Sequence, residues 1–112
     1  MPGATRRATI ARLNDHLRFT GEGGWTYLSR GVAALPIVTK EAVIRAVRHF
    51  AEFTPDNDPH GEHDCAVLTV EGHRIVWKID YHARNDDRQD AFDPTDPTVT
   101  KRVMTIMLAE EY

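Results

Sequence analysis

Two alternating runs on either side of Glu71-Gly72 constrain this chain more than any other feature. Residues 65–70 and 73–81 change character at every second position. The pattern is clearest where Ile75, Trp77, Ile79 and Tyr81 alternate with Val76, Lys78 and Asp80. That is the period of a strand with one buried face. Glu71-Gly72 is a two-residue link, and glycine readily takes the positive φ of a tight hairpin turn. Such a turn fixes register: Val70 faces His73, Leu68 faces Ile75 and Ala66 faces Trp77. The same register carried outward sets Cys65 opposite Lys78 and His63 opposite Asp80, where side chains are close enough to interact.

A half-buried hairpin needs a cover, and the chain supplies candidates. Residues 5–18 read as a helix, with Ile10, Leu13 and Leu17 forming a narrow apolar stripe and Thr5 as a cap. Gly21, Gly23 and Gly24 end it. Trp25–Leu28 reads as a short strand. Thr39 is the expected N-cap of a second helix, in which Val43, Ile44, Val47, Phe50 and Ala51 share one arc and Glu41, Arg45, Arg48, His49 and Glu52 share the other. Pro55 cannot continue it. Residues 82–100 are polar and Asp-rich and read as a long loop. The last strand, residues 102–109, is apolar on both faces and belongs in the middle of a sheet. The order α-β-α-β-β-β predicts an α+β fold: a mostly antiparallel four-stranded sheet with two helices packed on one face. Trp25 and Trp77 are both expected in the core.

The 112 residues suit a single domain spanning 1–112, with residues 1–4 expected to be flexible. Cys65 is the only cysteine, so no internal disulfide can form, which suits a reducing compartment. The N-terminus lacks an apolar h-region, and no run reaches the ~18 apolar residues of a membrane span. These features predict a cytoplasmic protein with no membrane role. A net charge of −3 is too mild to mark a duplex DNA binder, which usually shows a basic excess. The charge is uneven: Arg6, Arg7, Arg12 and Arg18 crowd the first helix, and aspartates crowd the loops.

Three chemistries compete around the start of the hairpin. Cys65 with His63 and Asp80 would follow the logic of an activated nucleophile, but a lone strand cysteine is most often a small apolar residue. His60, His63, Asp64, Asp80 and His82 are acceptable metal ligands, but His60-Gly61-Glu62-His63 lacks the helical spacing that puts two imidazoles side by side. The third reading is structural, with His63 and Asp80 as a charge-assisted pair that pins the strand. Nothing in the pattern calls for a cofactor. Glu62, His63, Asp64, Asp80 and Tyr81 are the candidate binding residues, with His63 and Asp80 the candidates for any catalysis.

Several phrases also carry a family resemblance. They are Asn14-Asp15 with Arg18, Ser29 through Leu35, Asn57-Asp58-Pro59 with Gly61-Glu62-His63-Asp64, Trp77 through Tyr81, Asp93-Pro94 with Asp96-Pro97, and Arg102-Val103 with Thr105 through Tyr112. Together they resemble the bacterial family catalogued as domain of unknown function 3768. The resemblance implies a cytoplasmic bacterial protein, of a kind found in alphaproteobacteria among plasmid and other mobile-element genes, and implies no reaction. The family pattern has an aromatic at the place of Cys65 and a tyrosine at that of His82, which weakens both as site residues.

These observations favour a non-enzymatic module that binds another protein, in counter-defence or plasmid maintenance, over an enzyme. The alternative is a small hydrolase or metal-dependent enzyme using His63 and Asp80, and a nucleic-acid-binding module ranks third. An exposed edge near Trp25–Leu28 could support a dimer, and no oligomeric state is specified.

Overall fold

The computed structural model describes residues 3–90 and 93–112. The elements are α1 (Gly3–Thr20), β1 (Trp25–Leu28), α2 (Arg30–Ala33), α3 (Ile37–Arg48), β2 (Cys65–Val70), β3 (His73–Ala83), β4 (Asp86–Asp90) and β5 (Thr100–Leu108), closed by a 3-10 turn at Ala109–Glu111. Gly3 and Ala4 open α1, while Met1 and Pro2 lie outside the described residues.

The hairpin forms in the expected register, with Val70 facing His73, Ala66 facing Trp77 and Cys65 facing Lys78. Glu71 and Gly72 both take positive φ, 49° and 81°, the pairing that matches the twist of the flanking strands. The strand order is β1-β5-β3-β2, with β4 against the end of β3. β5 sits centrally, as its two apolar faces require.

The α+β architecture agrees with expectation, but the sheet has five strands and is mixed. β1 runs parallel to β5, and the other pairings are antiparallel. Apolar alternation gives a strand's faces but not its direction. β4, Asp-Asp-Arg-Gln-Asp, has no apolar alternation and joins through main-chain bonds to His82 and Ala83. The added helix α2 begins where Ser29 Oγ accepts from Val32 N. α3 starts at Ile37, two residues before the expected cap, and Thr39, inside its first turn, donates Oγ1 to Glu71 Oε1.

All three helices lie on one face. Leu17, Val32, Val43 and Val47 close over Ala66, Val70, Ile75, Trp77, Ile79, Met104 and Ile106. Trp77 is fully buried, with Phe50 and Phe53 edge-on to its ring. Burying each large side chain contributes about 1.5–3 kcal/mol. Trp25 departs from expectation. It is 42% exposed on the face without helices, where Lys101 Nζ stands 4.9 Å from its ring centroid. Among the described residues, no helix is long and apolar enough to cross a membrane.

Candidate functional site

Asn14 interrupts the apolar stripe of α1 and is completely buried. Its carboxamide joins three other elements. Oδ1 accepts from Arg102 Nε at 2.9 Å, and Nδ2 donates to Tyr81 OH at 2.8 Å and to Glu62 O at 3.0 Å. Tyr81 OH donates onward to Glu62 Oε1 at 3.0 Å. Arg102 is 2% exposed, lies 5.2 Å from the centroid of the Tyr81 ring, and donates to Pro94 O. An unpaired buried guanidinium would cost several kcal/mol, so these contacts are a condition of the fold. Burial pushes the pKa of Arg102 down, against the opposing pull of Tyr81 and Glu62. Burial likewise raises the Tyr81 phenol well above its usual value.

Arg18, one turn along α1, is 5% exposed. Its NH1 donates to Val47 O, Arg48 O and Phe50 O, carbonyls at and just beyond the end of α3, where helical partners run out and of which Val47 O also accepts from Phe50 N. NH2 binds Asp15 Oδ1 at 3.0 Å, and the guanidinium lies over Trp77 and Phe53. Asp15 also receives His63 Nδ1 at 2.9 Å. The His63 ring lies flat on Phe53, centroids 4.0 Å apart, with Nε2 3.7 Å from the buried Asp58 carboxylate. One imidazole is therefore held between two carboxylates and an aromatic face.

This arrangement separates the expected pair. Main-chain pairing continues as far as Asp64, whose carbonyl accepts from Ile79 N at 2.7 Å. His63 then takes φ 54° while its N–H donates to the Asp58 carboxylate. That turn swings the side chain to the helix side of the sheet. Asp80 projects from the opposite face and pairs with Lys78 at 2.7 Å.

The family model described as Protein of unknown function (DUF3768) matches residues 28–111. The chain belongs to this family. No curated protein and no solved structure matches it. The family match begins after α1, yet α1 supplies Asn14, Asp15 and Arg18, the hubs of the cluster.

The structure thus brings Glu62, His63 and Tyr81 together and leaves Asp80 apart. Asp64 adjoins the group, and burial, with Glu62 and Asp58 nearby, pushes its carboxyl pKa up. Cys65 lies exposed opposite Lys78 on the helix-free face. Burial, followed by Asp64, Asp58 and Asp80, pushes its thiol up, which disfavours the reactive thiolate. Among the described residues, no three His, Cys, Asp or Glu side chains are placed to hold a metal ion. Sequence reasoning missed Asn14, Asp15, Asp58 and Arg102 as parts of this cluster. The available signals were a polar residue inside the apolar stripe of α1 and an arginine on the buried face of β5.

Proposed function

We propose that this chain is a non-enzymatic protein-interaction module that works through the helix-free face of its sheet. The observation that carries the reading is the set of exposed apolar side chains on that face, although Phe19, Ile37 and Val38 on the helices are exposed as well. Trp25, Tyr27 and Val67 are 42%, 51% and 48% exposed, and all three project from that one face. Near Val67, a groove of about 450 Å³ is lined by Cys65, Val76, Ala109 and Tyr112. Trp25 and Tyr27 stand at one edge of this face and the Val67 groove at the other, two apolar patches of the kind that mark interaction sites. Lys78 and Asp80 add polar groups that could fix a partner's orientation.

The polar cluster on the other face supports the same reading from the opposite side. Its buried groups direct most of their hydrogen bonds to one another and to main-chain carbonyls, with Arg18 Nε left unpartnered, and hold α1, α3 and the 54–64 turn to the sheet. The partner is a protein with an apolar contact surface. The cytoplasm of a bacterium, and carriage by mobile elements with a part in counter-defence or plasmid maintenance, complete the proposal on the strength of the family resemblance.

Affinity capture from the native host tests it. Immobilised wild-type chain should retain a specific protein, Val67→Lys should lose it, and His63→Asn should keep it. Loss with His63→Asn and retention with Val67→Lys, both variants folded, would move the working surface to the polar cluster.

A further inference from the structure

β1 ends the sheet, and its main chain shows which groups it offers. Ser29 N donates to Ile106 O at 2.9 Å, continuing the parallel register of Trp25 with Val103 and Leu28 with Ile106. In a parallel ladder one residue turns both its N–H and its C=O to the neighbour, and the next turns both away. Ser29, Tyr27 and Trp25 therefore face β5, and Thr26 and Leu28 turn their main-chain groups outward. Among the described residues, nothing hydrogen-bonds to those outward groups. Edge strands are usually guarded by charge, proline, a bulge or mere shortness, and Trp25-Thr26-Tyr27-Leu28 has only its four-residue length as a guard. The other end strand, β2, borders an open groove whose far wall is residues 49–52.

We propose that β1 is a self-pairing edge, on which a second copy of this chain docks its own β1 antiparallel about a two-fold axis at Tyr27. The occupant follows from the exposed aromatics, since Trp25 and Tyr27, 42% and 51% exposed, would cover their own counterparts, and the spacing permits it. Outward groups at Thr26 and Leu28, with one residue between, map onto themselves under a two-fold rotation. Thr26 then exchanges both main-chain bonds with the partner's Leu28, and Leu28 with the partner's Thr26, so every outward group of the strand is satisfied. Tyr27 faces the partner's Tyr27 at the non-hydrogen-bonded position, where side chains come closest. Trp25 stands diagonal to that ring, so the exposed aromatics of both copies join in one strip. Neither end of the strand is of one sign, since Glu22 and Lys101 flank its start and Arg30 and Glu111 its end. The pairing is isologous and closes as a dimer rather than a filament. It goes beyond the interaction-module reading, because a monomer could still capture a partner through the groove at Val67.

Sedimentation equilibrium on the full chain decides the matter. The wild-type mass should rise with concentration from 12.7 kDa to twice that value. Thr26→Pro removes an outward N–H and no bond to β5, so it should keep the wild-type circular dichroism and weaken self-association roughly tenfold or more, since each dimer loses two main-chain donors. Tyr27→Lys opposes like charges across the axis and should weaken it similarly, whereas Val67→Lys should associate like the wild type. A wild-type chain that stays monomeric at every concentration, or a dimer that persists in folded Tyr27→Lys, would overturn the proposal. If Thr26→Pro does not fold, Tyr27→Lys alone decides, because it leaves the main chain of β1 intact.

Discussion

Asn14 and Arg102 stand 88 positions apart in the chain and share a buried hydrogen bond, guanidinium Nε to carboxamide Oδ1, of 2.9 Å. One short amide thereby neutralises part of the solvation debt of a buried cation while reaching Tyr81 and Glu62 with its other end. Asn14→Leu would leave those groups buried and short of partners. The expected loss is about 3 kcal/mol or more, read as a lowered urea midpoint at unchanged slope.

Arg18 joins α1 to the end of α3 through a planar fork. Arg18→Lys keeps the charge but cannot span those carbonyls and Asp15 together, nor lie flat over Trp77. A destabilisation of about 2 kcal/mol is expected. Hydrogen exchange should quicken first in the last turn of α3.

His63 touches Asp15 and not Asp80, and double-mutant cycles separate the two geometries. His63→Ala with Asp15→Ala should show a coupling of about 0.5 kcal/mol or more, whereas His63→Ala with Asp80→Ala should be additive within about 0.5 kcal/mol. Coupling in the second cycle alone would restore the pairing that the hairpin register suggests.

Glu111 gives the closing turn a pH dependence. Its carboxylate accepts from Ser29 Oγ, Leu108 N and Gly31 N, and these bonds, Ser29 foremost, hold its pKa below the usual 4.5. The folded pKa lies below the unfolded one, so the stabilisation is present above pH 4.5 and is lost as pH falls through the lower folded value. The difference in urea midpoint between wild type and Glu111→Gln should shrink to nothing over that interval. The Gly31 amide resonance should titrate in wild type only.

The legible parts of this fold are those set by local rules. Glu71-Gly72 dictates its hairpin because a two-residue turn admits one register, and β5 is central because both its faces are apolar. The position of His63 is not legible in that way. A non-glycine residue at φ 54° ends the strand without any mark in the alternation, and the bond to Asp58 that holds it there comes from an irregular turn. The hubs of the cluster are harder still, since α1 meets β5 across nearly the whole chain. Only misplaced polarity, Asn14 in an apolar stripe and Arg102 on a buried strand face, hints at them. The parallel placement of β1 rests on a long-range pairing that no local pattern encodes.

Photocrosslinking in the native host tests most directly whether the helix-free face is the working surface. A benzophenone side chain would replace Val67 in one chain and Asp15 in another, each checked for a wild-type fold. Adducts to a defined protein from position 67 and none from position 15 are the expected result. Adducts from position 15 with none from position 67 would contradict the account.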